Sequence, residues 1–205
     1  MKNTLVLVAA AGLASVAAAQ SGSLSLLSSA ATIDNSGSPA TFTLSVWGDA
    51  DFGTAIAGGG FSLNAVGGDA LVTDMVASAA SWGALGFQDN GHTGGGKTGM
   101  IFGQLIFPPF IPADPASMLG AGPVRLGSFV VTIAADTYGV IDWSTGALGD
   151  NFVMEIFTDD GGAGTFTQLT AADIDLGGIT VIIYPAPSSV ALLGFGGLFA
   201  GRRRR

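Results

Sequence analysis

The segment Gly91-His92-Thr93-Gly94-Gly95-Gly96-Lys97-Thr98 matches, letter for letter, the pattern G-x-x-x-x-G-K-[ST] with which a glycine-rich loop cradles nucleotide phosphates. That chemistry needs a buried strand before the loop and a helix after it, so that the helix N-terminus faces the phosphates. Here Gln88-Asp89-Asn90 precede the loop and the apolar, β-type run Met100 to Phe107 follows it. The context fails, and the segment reads as a flexible glycine loop. His92 is the only histidine, so a Ser-His-Asp triad would have to use it, and no Gly-x-Ser-x-Gly elbow is present. With no cysteine, thiolate metal sites and a cysteine nucleophile are excluded.

Carboxylates are the next candidates. Asp49-Ala50-Asp51-Phe52-Gly53 starts like a calcium loop but then places Thr54 and Gly60 where the pattern needs glycine and glutamate. Asp159-Asp160-Gly161-Gly162 and Asp173-Ile174-Asp175 could supply oxygen ligands from loops, and Asp159 and Asp160 are the candidates for a calcium site. Aspartates also favour such turns with no metal bound. Glu155 is the only glutamate and lies in a predicted strand, so no glycosidase carboxylate pair can be assigned. No cofactor other than calcium is implied. Three tryptophans remain. Trp47 falls on the wet face of its strand, while Trp82 and Trp143 lie at glycine or turn boundaries. Trp47 and Trp143 are the candidate sugar contacts, since an exposed indole presents an apolar plane beside polar groups. The competing reading is packing at the edge of the core.

The elements that hold these residues must be strands. The chain has 205 residues, 48% hydrophobic and only 11% charged, with 33 glycines. Phe42, Leu44 and Val46 alternate with Thr41, Thr43, Ser45 and Trp47, a period of two that buries one face. Phe129, Val131 and Ile133 alternate in the same way with Ser128, Val130 and Thr132. Further runs at 23–27, 61–63, 70–76, 100–107, 138–143, 152–157, 165–169 and 179–184 bring the expected number of strands to about nine or ten. Residues 110–123 read as a long proline-rich loop, and a helical turn is expected within 77–86 or 113–119. Strand after strand without helices between them predicts an all-β fold, a single jelly-roll-like β-sandwich.

The two ends read as addresses. Lys2, the apolar run through Leu13 and the small residues Ala17, Ala18 and Ala19 before Gln20 have the layout of a secretory signal, with cleavage expected between Ala19 and Gln20. At the other end Tyr184-Pro185-Ala186-Pro187-Ser188-Ser189 leads into an apolar run from Val190 to Ala200 and then Arg202, Arg203, Arg204 and Arg205. Ser189 to Gly201 would make a helix of roughly 20 Å, short for about 30 Å of hydrocarbon. The arginines would stay on the cytoplasmic side, leaving the body outside. Between the ends, all 15 acids face only Lys97 and Arg125. Such a body repels nucleic acid and anionic headgroups. The expected organisation is a signal peptide at 1–19, a sandwich domain at 20–183 and a sorting or anchoring segment at 184–205.

The C-terminal layout resembles that of PEP-CTERM proteins, whose tails run from a Pro-Glu-Pro motif through a short apolar helix to an arginine cluster. Here Ala186 stands where that motif has glutamate, giving Pro185-Ala186-Pro187. The resemblance implies cutting near the motif by an exosortase-type enzyme, release or transfer of the body to the envelope, and a setting of exopolysaccharide production. A permanent membrane anchor is the alternative. In the middle, Thr43-Leu44-Ser45-Val46-Trp47, Gly60-Phe61-Ser62-Leu63-Asn64 and Leu126-Gly127-Ser128-Phe129-Val130-Val131 resemble the strands of cohesin-like and related carbohydrate-binding sandwiches. This likeness implies a nine-stranded jelly roll. The combined expectation is an exported, non-enzymatic structural protein of the cell envelope or extracellular matrix. The alternative is a carbohydrate-binding or adhesive module. Its partners would be the export machinery, the processing enzyme, the membrane before processing and an exopolysaccharide.

Overall fold

The computed structural model describes residues 20–148 and 152–185. The chain forms β1 (Gly22–Ser28), β2 (Thr32–Asp34), β3 (Ala40–Ala50), β4 (Ala55–Val66), β5 (Val72–Ala79), β6 (Gln88–Asp89) and β7 (His92–Thr93). These are followed by β8 (Gly96–Gly103), β9 (Val124–Ile133), β10 (Gly139–Ala147), β11 (Met154–Thr158), β12 (Thr165–Leu169), β13 (Ile174–Leu176) and β14 (Gly178–Tyr184). One sheet has the order β13-β1-β3-β9-β5; the other runs β12-β11-β4-β10-β14-β2 and carries β8, with β6 and β7, on β4. The expected all-β sandwich is what forms, with short 3-10 turns at Ser81–Gly86 and Pro115–Ser117 inside the two expected segments and a third at Asp69–Leu71, at the start of the strand expected over 70–76.

Alternation decides the faces. Phe42 and Leu44 of β3 pair with Val131 and Phe129 of β9, and all four are buried while their neighbours Thr41 and Val130 are exposed. The second sheet answers with Phe61, Leu63, Met100, Phe102, Ile141 and Trp143, which share one core cluster with β3 and β9. Edge-on ring contacts lock the layers. Phe61 meets Phe129 at 6.3 Å and Phe42 meets Trp143 at 5.6 Å, a geometry in which one ring's positive edge faces the other's negative face.

Two glycines mark close backbone approaches. At Gly59, in the middle of β4, a Cβ would lie 2.1 Å from the Val153 carbonyl oxygen. β8 occupies one edge of β4, so β11 and β10 share the other edge in succession, with β11 against 55–59 and β10 against 61–66. Gly177 is the point where the last strand leaves one sheet for the other. Its N–H donates to Leu24 in the first sheet and its carbonyl accepts from Thr145 N–H in the second, and a Cβ there would lie 2.5 Å from the Leu24 oxygen.

The first strand changes sheets as well, between β1 and β2. β1 runs parallel to β13, and β2 runs parallel to β14. The first and last passes of the chain are therefore parallel neighbours, so the described chain starts at one pole of the sandwich and ends at the other. The 13 positions from Gly22 to Asp34 rise by about 3.3 Å each, which separates the poles by roughly 40 Å. Gln20 lies at the N-terminal pole. Pro185 lies at the C-terminal pole, beside Asn35, whose N–H donates to Tyr184.

Several expected elements shift. The run 100–107 is strand only as far as Gly103, and β2, β6, β7 and β13 are too short to show a period. The last strand reaches Tyr184, a residue beyond the expected domain boundary at 183. Ala17 and Ala19 of the signal, and Ala186, Pro187 and Arg202, Arg203, Arg204 and Arg205 of the sorting segment, lie outside the described residues. Among the described residues no helix is long and apolar enough to cross a membrane.

Candidate functional site

The glycine loop is half of a hairpin. His92 pairs with Lys97 and Thr93 with Gly96, so β7 turns back through Gly94-Gly95 into β8. The strand takes the place of the helix that phosphate binding would need. Lys97 is 2% exposed, and its Nζ lies 2.6 and 2.8 Å from the two carboxylate oxygens of Asp89. Burial works to raise the Asp89 carboxyl, but hydrogen bonds from Lys97 and the Gly91 N–H, with the positive charge of Lys97, outweigh it. Asp89 is held below the ordinary carboxylate value. His92 directs Nδ1 to the Gly94 carbonyl at 3.0 Å, and its Nε2 lies 3.7 Å from Asp74. These residues tie down a turn.

The candidate metal and sugar residues are dispersed. Asp159 accepts the Gly161 N–H, and Asp160 accepts those of Gly162 and Gly164. Both carboxylates thus cap the turn between β11 and β12, because a short acidic side chain reaches the amide two residues on. Asp51 accepts the N–H and hydroxyl of Ser21, and Asp173 those of Thr170, which lower the Asp173 carboxyl below its ordinary value. Among the described residues no three His, Asp or Glu side chains group to hold a metal. Trp143 is not a surface residue. It is 1% exposed and its Nε1 donates to the Gly95 carbonyl at 3.0 Å, so the indole is core and offers no face to a sugar. Trp82 is buried too, donating to the Arg125 carbonyl. Trp47 does point outward from the first sheet, between Ser25 of β1 and Arg125 of β9. It is half-buried, and its Nε1 is covered without a hydrogen-bond partner.

The surface that stands out is the connection from β8 to β9. It crosses the outer side of β4 and β11 at the N-terminal pole, where Ile106 packs with Ala57 and Phe157 as a second small core. Gln104 fastens it. Its Nε2 donates to the Ile56 carbonyl and the Ser117 hydroxyl at 2.8 and 2.7 Å, and its Oε1 accepts from Asp114 N–H at 2.8 Å. Leu119 N–H donates to Thr54, and Met118 bridges to Ala55. Inside the loop Phe107 and Ile111 exchange both backbone hydrogen bonds. This fixes Phe107 and Phe110 as a near-parallel pair, ring centres 5.9 Å apart and planes 21° from each other, with 58% and 78% of their surfaces exposed. A cleft of about 330 Å³ lies to one side, walled by Pro108, Pro112, Met118 and Phe157, with Thr54 and Asp159 as its polar edge. A second cleft, of about 500 Å³, lies beside Leu85, Leu105 and Ile111. Exposed apolar groups on a braced loop are the usual mark of a contact surface. The sequence signal was Phe-Pro-Pro-Phe-Ile-Pro, large apolar residues within a stretch otherwise read as loop.

Replacing Gln104 by Ala leaves the Ile56 carbonyl and the Asp114 N–H without their partner. We expect a loss of about 1–3 kcal/mol and faster amide hydrogen exchange across 105–118, with the strands of the sandwich still protected. Unchanged exchange in the loop would show that Gln104 does not brace it.

No protein-family model matches the chain, and no curated protein matches it. Solved structures do. The seventh ScaB type I cohesin from Pseudobacteroides cellulosolvens is 13% identical, with a TM-score of 0.50 over 82% of this chain and 95% of that one. The fold is cohesin-like. The sixth cohesin of scaffoldin B from Acetivibrio cellulolyticus, solved in complex with a Cel5 dockerin, is 10% identical with a TM-score of 0.42, over 81% of this chain and 98% of that one.

Proposed function

We propose that this chain is an exported, non-catalytic binding module that works at the cell surface, with the apolar loop of its N-terminal pole as the contact surface. The parallel pairing of the first and last strands carries this reading. It sends the chain out at the C-terminal pole, while the Phe107–Phe110 loop stands at the opposite pole, roughly 40 Å away. A sorting or anchoring segment beyond Pro185, or an envelope attachment made at that end when the segment is cut, would therefore hold the module with that loop turned away from the membrane. The acidic body, with all 15 acids against Lys97 and Arg125, suits a solvated outer surface. The dispersed carboxylates and the hydrogen-bonded loop histidine favour binding over catalysis.

Processing follows from the same reading. A signal cut before Gln20 and an exosortase-type cut near Pro185-Ala186-Pro187 would leave a mature chain of the sandwich alone. Mass spectrometry of the protein isolated from its host should find residues 1–19 and the arginine-ended tail missing. A full-length chain recovered soluble from the cytosol, with both ends intact, would overturn the proposal.

A further inference from the structure

We propose that the partner at the N-terminal pole is a neutral polysaccharide, which would lie across the Phe107–Phe110 pair with its hydroxyls turned to the Asp159 side of the adjoining cleft. The inference rests on the reading that this pole is the contact surface, and it adds what is contacted.

A sugar ring is amphipathic. Its C–H face needs a flat apolar support, and its hydroxyl edge needs donors and acceptors within reach. The pole supplies both. Phe107 and Phe110 stack on each other with planes 21° apart and are both exposed, so they stand as one apolar unit whose outer ring surface is open to solvent. Beside the pair, Pro108, Pro109 and Pro112 line the apolar side of the cleft. The polar edge of the same cleft holds Thr54, the Asp159 carboxylate and the Gly161-Gly162 backbone. Asp159 gives one oxygen to Gly161 N–H, and no partner holds its second among the described residues. A cleft of about 330 Å³ falls at the small end of ligand sites, suited to a short stretch of chain rather than to a folded protein.

Charge selects the class of polymer. No basic residue lines either cleft of the loop, whereas Asp114 and Asp159 do. Lys97 is buried in its ion pair with Asp89. An anionic polysaccharide would meet only repulsion there, and a bilayer carrying anionic lipids would meet the same. A neutral chain pays no such penalty. The loop that carries the pair is also braced: Gln104 and the paired backbone of Phe107 and Ile111 hold it in place before any ligand arrives, which lowers the ordering cost of binding.

The test is native affinity electrophoresis of the full-length chain in gels containing a mixed-linkage β-glucan, a galactomannan, dextran or alginate. Retardation is expected with at least one of the three neutral polymers and not with alginate. Phe107→Ala and Phe110→Ala should each weaken it roughly tenfold, the loss of one aromatic anchor, and Asp159→Asn should weaken it less. Both rings are exposed, so thermal melts of these variants should match the parent; a variant that melts early is replaced by Phe110→Ser, tested in the same way. The inference fails if no neutral polymer retards the protein or if alginate retards it as strongly. It also fails if the double Phe variant binds unchanged, or if neutral phosphatidylcholine vesicles capture the parent through these two rings while no polymer does. A protein that is processed and exported yet fails these assays sinks this inference alone, whereas an unprocessed cytosolic chain sinks the function on which it rests.

Discussion

Trp143→Ala should lower stability by about 3–5 kcal/mol, the range for deleting a buried aromatic side chain. The indole fills the space between the sheets, edge-on to Phe42, with only 1% of its surface exposed. Its removal leaves a cavity that the close-packed neighbours cannot fill. It also strips the Gly95 carbonyl of its donor, loosening the turn that joins β7 to β8. For a sandwich of this size each kcal/mol moves the midpoint by about 2–4 °C, so a fall of about 10 °C is expected in a thermal melt. Trp47→Ala is the control. That ring is half-buried on the outer face of the first sheet, and its loss should cost clearly less. Equal melting of Trp143→Ala and the parent would mean that the ring does not bridge the layers.

The second large effect concerns the ion pair in the hairpin. Asp89→Ala leaves the covered Lys97 ammonium without its counter-charge; because Asp89 itself is open to solvent, the cost falls below that of a fully buried pair, at about 2–3 kcal/mol. Replacing both residues is a different matter. Asp89→Ala combined with Lys97→Met puts an apolar side chain of similar length where Lys97 lies, and should recover most of the loss, because an apolar replacement removes the desolvation cost together with the attraction. Acid provides an independent check. The Asp89 carboxyl is held below its ordinary value in the folded chain, so the pair's contribution is fully present above a pH of about 4. It is lost as the pH falls through the lower folded-state value. Urea midpoints measured from pH 7 down to pH 2 should therefore fall less steeply for the double variant than for the parent. Parallel curves would show that the pair contributes nothing to folding.

What could be read from the residues follows from which forces are local. The alternation of Phe42, Leu44 and Val46 with Thr41, Thr43 and Ser45 puts one face in the core whatever the partner strand is, because successive side chains point to opposite faces. β3 and β9 were legible for that reason, as was the all-β class. The failure of the phosphate-loop pattern at 91–98 was legible too, since a β-type run follows Lys97 where a helix would be needed. The short strands β2, β6 and β13 were not. Two or three residues show no period, and they are strands only because β14, β8 and β1 lie beside them.

The sequence by itself determined the all-β class and the acidic surface, because alternation and charge are properties of neighbouring residues and of totals. It could not separate Trp47 from Trp143, since both sit in strands and burial depends on which sheet covers which face. Tertiary structure decided that Trp143 is core, that Lys97 is an internal partner of Asp89, and that the apolar residues of the 104–123 connection are braced on one pole by Gln104. It also set the first and last strands parallel, which separates that pole from the end of the described chain at Pro185. Each of these depends on contacts between residues far apart in the chain, which no local pattern encodes.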